Sequence, residues 1–260
     1  MMDASPTIRK TAMALDFDDR PLAKRVGLVI LATDHTTEPD FQHMVASKRV
    51  GVYTARVPYA NPTTPENLRR MQPSLTDGAS LILPDEDLDV ICYSCTSASV
   101  VIGDDEIEAA INRAKPAVPV VTPPLAAVRG LQALGARRIS ILTPYTIETS
   151  TPMANYFAAK GFDIASFTCF GLDDDREMAR ISPRSLISAA REVTAIDADA
   201  LFISCTALRA AGIALAIEQA IGKPVVSSNL ATAWATLRIC DDLAPRPEWG
   251  SLMTQSMAGW

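Results

Sequence analysis

Short runs of β-branched and other apolar residues alternate along this chain with longer stretches of mixed apolar and charged residues. Runs at 26–32, 50–57, 88–93, 118–121, 139–142, 163–168, 200–204 and 225–227 have the character of buried parallel strands. Helical spacing between them predicts helices over 64–80, 104–115, 124–134, 148–159, 183–194 and 208–221. Asp104, Thr122 before Pro123-Pro124, and Ser182 before Pro183 read as helix starts, while Gly135, Gly161 and Gly222 follow helical patterns as C-terminal glycines do. This alternation predicts an α/β fold built from βαβ units.

The pattern also repeats. Arg25-Val26-Gly27-Leu28-Val29 resembles Arg138-Ile139-Ser140-Ile141-Leu142, 113 positions on. Tyr93-Ser94-Cys95-Thr96-Ser97 is answered by Ile203-Ser204-Cys205-Thr206-Ala207, its cysteine 110 positions on. Val118-Pro119-Val120-Val121-Thr122 is answered by Lys223-Pro224-Val225-Val226-Ser227. A near-constant offset predicts two pseudo-symmetric lobes, each a parallel sheet flanked by helices, with a cleft between them. Lobe 1 is expected over 25–122 with a return of 228–243, and lobe 2 over 123–227. An arm over 1–24 and a tail over 244–260 complete the chain. Trp249, Met253, Met257 and Trp260 read as a tail or interface signal and not as a cofactor box.

Composition narrows the function. The chain has 260 residues, 48% apolar and 21% charged, with a net charge of −6. That leaves no electrostatic footprint for nucleic acid, and no apolar run is long enough to span a bilayer. Lys10, Asp16, Asp18, Asp19 and Arg20 interrupt any signal-like stretch, so the expected location is the cytoplasm. Five cysteines, an odd number, argue against a disulfide framework. Cys92 and Cys95 have CxxC spacing, but Cys92 lies inside a strand run and no second cluster accompanies the pair, so no metal site is expected. No nucleotide-binding glycine loop, Gly-x-Ser-x-Gly elbow or conspicuous Schiff-base lysine appears, so the expected chemistry needs no cofactor.

Both Ser-Cys-Thr segments are expected where a strand ends and a helix begins, the edge at which α/β proteins bind ligands. A helix N-terminus there would favour the thiolate. Cys95 and Cys205 are therefore the candidate reactive pair, and Cys92, Cys169 and Cys240 are read as small buried hydrophobes. Two opposed thiols can remove a proton α to a carboxylate on one face and return one on the other. They can equally add to a double bond, allow rotation and leave. Thr96, Ser97, Tyr145 and Thr206 are candidate donors to a carboxylate, although Thr96 and Thr206 also read as helix caps and Tyr145 as a half-buried strand-end residue. His35 reads as an acid/base or as a loop histidine paired with Asp34 or Glu38. Asp34 reads as a cap or as a ligand for a substrate amine. Asp173-Asp174-Asp175 reads as a solvated helix start, with Asp175 the one member given a possible site role.

On these two Ser-Cys-Thr segments, on Leu142-Thr143-Pro144-Tyr145-Thr146, and on Pro224-Val225-Val226-Ser227-Ser228-Asn229 followed by Trp234, the chain resembles the aspartate/glutamate racemase superfamily over residues 20–243. It is most similar to the branch holding maleate cis–trans isomerase and arylmalonate decarboxylase, and within it to ectoine-utilisation members. The resemblance implies Cys95 and Cys205 as the catalytic pair, Thr96, Ser97, Tyr145 and Thr206 around a substrate carboxylate, no cofactor, and a homodimer or larger homo-oligomer. Maleate isomerases carry asparagines where this chain has His35 and Asp175. The expected activity is an isomerase or racemase on a small carboxylate, an amino acid of ectoine breakdown. Maleate isomerisation and a non-catalytic acid-binding protein are the alternatives.

Overall fold

The computed structural model describes residues 7–260; the first six positions of the expected arm lie outside it. Among the described residues, eight strands form two four-stranded parallel sheets. The first holds β1 (Lys24–Leu31), β2 (Val50–Val57), β3 (Val90–Ser94) and β4 (Val120–Val121) in the order β2-β1-β3-β4. The second holds β5 (Arg138–Tyr145), β6 (Asp163–Leu172), β7 (Ala200–Ile203) and β8 (Val225–Ser227) in the order β6-β5-β7-β8. The two orders superimpose strand for strand, as the internal repeat predicts. The two-lobed α/β expectation holds.

The helices are α1 (Thr37–Met44), α2 (Pro65–Arg69), α3 (Ser74–Ser80), α4 (Thr96–Ile102), α5 (Asp104–Asn112), α6 (Pro123–Ala133), α7 (Ile147–Ala159), α8 (Asp175–Met178), α9 (Pro183–Val193), α10 (Ala214–Ile221) and α11 (Ser228–Ile239). Local chemistry sets many of their ends. Thr64, Thr146, Ser182 and Ser227 each accept a backbone N–H of the first turn that follows. Gly222 ends α10 in the left-handed conformation, at φ 68°.

Two expected helices are corrected. The stretch 64–80 is two helices rather than one, because Pro73 lacks the N–H that an uninterrupted helix needs. The stretch 208–221 becomes helical only late, through a 3-10 turn at Ala211–Ile213 and then α10. Cys205 is therefore not followed by a helix N-terminus.

The side-chain alternation of β1 divides the core. Val26, Leu28 and Ile30 face a large apolar cluster that runs through α6 and α11 to Ile139, Ile141 and Phe202 of the second sheet. Val29 and Leu31 face a smaller cluster with Leu75, Ile91 and Ile107. Helix α11 touches both sheets, through β3, β4 and β8. Its twelve residues are almost entirely buried, including Trp234. The segment after it docks rather than hangs free. Trp234 and Arg238 donate to the Gln255 carbonyl at 3.0 and 2.9 Å, and Leu252 and Met253 are buried.

Candidate active site between the sheets

One cavity lies where the carboxyl ends of the two sheets face each other, and six strands deliver its walls. From the first sheet come Leu31 and Asp34 at the end of β1, Tyr59 and Thr63 after β2, and Cys95 and Ser97 after β3. From the second come Tyr145 ending β5, Asp175 and Met178 after β6, and Cys205, Thr206 and Ala207 after β7. The space is about 20 Å³, enough for roughly one water molecule. A wider groove of about 300 Å³ beside the C-terminal segment gathers no thiol, histidine or carboxylate. The smaller, central cavity is the one that gathers both repeated cysteines with two carboxylates.

Seven of the expected residues meet here: Cys95, Cys205, Ser97, Tyr145, Thr206, Asp34 and Asp175. Two do not. His35 is exposed and faces a surface depression with Arg176 and Arg180. The reason is local: Asp34 accepts the N–H groups of Thr36 and Thr37 at 2.9 and 2.8 Å, which turns residue 34 inward and its neighbour outward. Thr96 is buried, with its hydroxyl donated to Ser228 Oγ at 2.7 Å. That hydroxyl is a strut between elements and does not line the cavity.

The thiols differ in backbone setting. Cys95 is the N-cap of α4 in extended conformation, at φ −151°. Its sulfur lies 3.8 Å from Ser97 Oγ. Cys205 sits at φ 103°, a region that non-glycine residues occupy only when the surroundings impose it. Tyr145 lines the same cavity wall as Cys205 and Ser97.

Burial opposes the expected thiolate enrichment. Burial pushes Cys95 up to about 11, against the opposing pull of the Ala98 N–H and the Ser97 hydroxyl. Burial likewise pushes Cys205 up to about 12, although Tyr145 and the Ala207 N–H favour its anion. The nearby Asp175 and Asp34 carboxylates raise Cys95 further. Desolvation outweighs the helix terminus.

The two acids are well held. Asp34 accepts from the Thr37 hydroxyl at 2.7 Å, and burial raises its pKa. Asp175 accepts from Asn61 Nδ2 at 2.7 Å and from the Thr33 hydroxyl. Among the described residues, no lysine or arginine lines the cavity. Tyr59 and Thr63, bonded to each other at 2.6 Å, were not foreseen, nor was Asn61. The polar stretch Tyr59-Ala60-Asn61-Pro62-Thr63-Thr64 at the carboxyl end of an apolar run was the available signal.

The sequence pattern of the arylmalonate decarboxylase family matches residues 74–252. Two parallel four-stranded sheets, each with a cysteine loop at its carboxyl edge, make this a two-lobed α/β protein. The chain belongs to the arylmalonate decarboxylase family. Maleate isomerase from Nocardia farcinica is 27% identical over 246 residues, covering 90% of this chain and 97% of that protein. Arylmalonate decarboxylase from Bordetella bronchiseptica is 29% identical over 142 residues, 54% of this chain and 59% of that one. A solved structure of the Nocardia farcinica maleate cis-trans isomerase, a cysteine-to-serine mutant with a covalently bound succinylcysteine intermediate, superimposes with a TM-score of 0.82 at 26% identity, over 89% of this chain and 98% of that one. The maleate isomerases among these relatives bear out the expectation of an isomerase. No helix among the described residues is long and apolar enough to cross a membrane.

Proposed function

We propose that this protein is a cofactor-independent isomerase that uses Cys95 and Cys205 as an acid/base pair on a small carboxylate carrying an amine. The reading deepens to an amino acid of ectoine breakdown, such as an acetylated diaminobutyrate, on the family resemblance given above. The observation that carries it is that both thiols line one cavity together with two carboxylates and no basic side chain.

The chemistry follows from that composition. One cysteine, as thiolate, takes the proton α to the substrate carboxylate, and the electron pair delocalises into that carboxylate. The opposite thiol delivers its proton to the other face and becomes the thiolate. Ser97, Tyr145 and the backbone N–H groups opening α4 are donors for the charge that develops. Asp34 and Asp175 suit a substrate ammonium. Its positive charge would also lower both thiol pKa values, which burial has raised. The test is turnover in deuterium oxide: candidate amino acids should gain one deuterium at the α-carbon, and Cys95→Ser or Cys205→Ser should abolish it.

The second reading is maleate isomerisation, favoured by the names of the relatives. A thiolate would add to the double bond, the carbon–carbon bond would rotate, and the adduct would collapse to fumarate. Two carboxylates in the wall oppose a dianionic substrate. A rise in ultraviolet absorbance on mixing with maleate, as fumarate forms, with no deuterium entering any amino acid, would overturn the first reading in favour of this one.

A further inference from the structure

Helix α11 begins between the two cysteine loops, and one oxygen there serves both. The last ladder bond of β7 runs from the Ser204 N–H to the Leu142 carbonyl at 2.9 Å. The next N–H, that of Cys205, leaves the sheet and donates to Ser228 Oγ at 3.0 Å. The same Ser228 Oγ accepts from Thr96, the neighbour of Cys95, at 2.7 Å. Asn229, one residue on, donates to the Thr206 carbonyl at 2.9 Å. The backbone on either side of the Cys205 sulfur is thus tied to the first turn of α11.

We propose that Ser228 is a positioning residue: its hydroxyl holds the Cys205 loop in its strained conformation and sets it in register with the Cys95 loop. Three features support this. Cys205 carries a positive φ without being glycine, so its conformation must be imposed by its surroundings. Its N–H is buried and needs an acceptor, and Ser228 is the one it has. Ser228 is itself fully buried and is absent from the cavity wall, so it cannot act on substrate directly. Removing its oxygen orphans the Cys205 N–H and the Thr96 hydroxyl together, and relaxation of φ would swing the Cys205 sulfur away from its position opposite Cys95.

The proposal rests on the two-cysteine reading only in its kinetic arm, and the decisive measurement needs no substrate. Full-length Ser228→Ala, Ser228→Thr and Thr96→Val proteins are treated with iodoacetamide, and alkylation at Cys205 and Cys95 is followed separately by peptide mass spectrometry. In Ser228→Ala the ratio of Cys205 to Cys95 labelling should rise about tenfold or more. Ser228→Thr, which restores the hydroxyl, should return it to within about twofold of the parent. Where a substrate turns over, kcat should fall with KM nearly unchanged in Ser228→Ala. Should Ser228→Ala fail to fold, Thr96→Val must shift the ratio the same way. An unchanged ratio in a folded Ser228→Ala, or a Ser228→Thr protein that behaves like Ser228→Ala, overturns the proposal. A shifted ratio in a protein inert toward every amino acid would leave the positioning role standing and remove only the assigned reaction.

Discussion

Asn61 of the first lobe donates its side-chain amide to Asp175 of the second at 2.7 Å, and the Asp175 N–H returns a bond to Asn61 Oδ1 at 3.2 Å. This reciprocal pair ties the loop after β2 to the start of α8 across the cleft. It also fixes a carboxylate in a cavity wall that, among the described residues, includes no lysine or arginine.

Asp175→Asn keeps the shape and removes that charge. The new amide can still accept from Asn61, and it can donate to the Thr33 hydroxyl, so the loop contact survives. For an amine-bearing substrate, KM should rise about 10-fold or more, the scale of a lost charge-assisted contact. Maleate should bind no worse, and better if it binds at all. Steady-state kinetics on both compounds measure this, and an unchanged KM for the amino acid would leave Asp175 as a tie between loops only.

Because burial raises both thiols, their alkylation in the free protein should be slow at pH 7. The rate should climb about tenfold per pH unit as the thiolate fraction grows, with no plateau before about pH 10. Rates measured site by site from pH 7 to 10 test this. A plateau reached by pH 8 would mean that the helix terminus at Cys95 prevails over desolvation.

Asp40 accepts from Asn229 at 2.8 Å, and burial lifts its pKa to about 6, with Asp34 raising it further and His43 opposing. A raised carboxylate means that the folded protein holds a proton which the unfolded chain has released between about pH 4 and pH 6. Stability tied to Asp40 is therefore complete below that window and is lost as pH rises through it. Asp40→Asn should stabilise the protein by roughly 1–3 kcal/mol at pH 7.5 and by nothing at pH 4. Urea denaturation at the two pH values decides.

The C-terminal segment packs through Leu252, whose side chain fills the space over Gly130 of α6. A Cβ at Gly130 would meet Leu252 Cδ1 at 3.0 Å. Leu252→Ala should cost about 2–4 kcal/mol by leaving a cavity. Gly130→Ala should cost less when added to Leu252→Ala than on its own, because the new methyl group enters the vacated space. Denaturant melts of the four proteins in the cycle give the coupling, and simple additivity would refute the contact.

How far the chain could be read depends on the range of the forces involved. The strands at 50–57 and 225–227 coincide with β2 and β8, because a run of β-branched residues carries its own signal. The pairing of the two Ser-Cys-Thr segments was visible because duplication left the residues in place. The pairing of Asn61 with Asp175 was not, since the two positions lie 114 residues apart and neither belongs to the repeat.

Period, propensity and internal repetition are local properties, and they determined the two sheets, the order of their elements and the two thiols at their carboxyl edges. Three things were left to the tertiary structure. Residue 34 faces inward and residue 35 outward. Cys205 takes a positive φ that Cys95 does not, although their neighbours match. Burial raises the pKa of both thiols in the cavity they share. Each depends on which distant groups supply a hydrogen-bond partner or exclude water, as Ser228 does for Cys205 from 23 residues away. Solvation and hydrogen-bond geometry are set by neighbours in space, and no short stretch of sequence carries them.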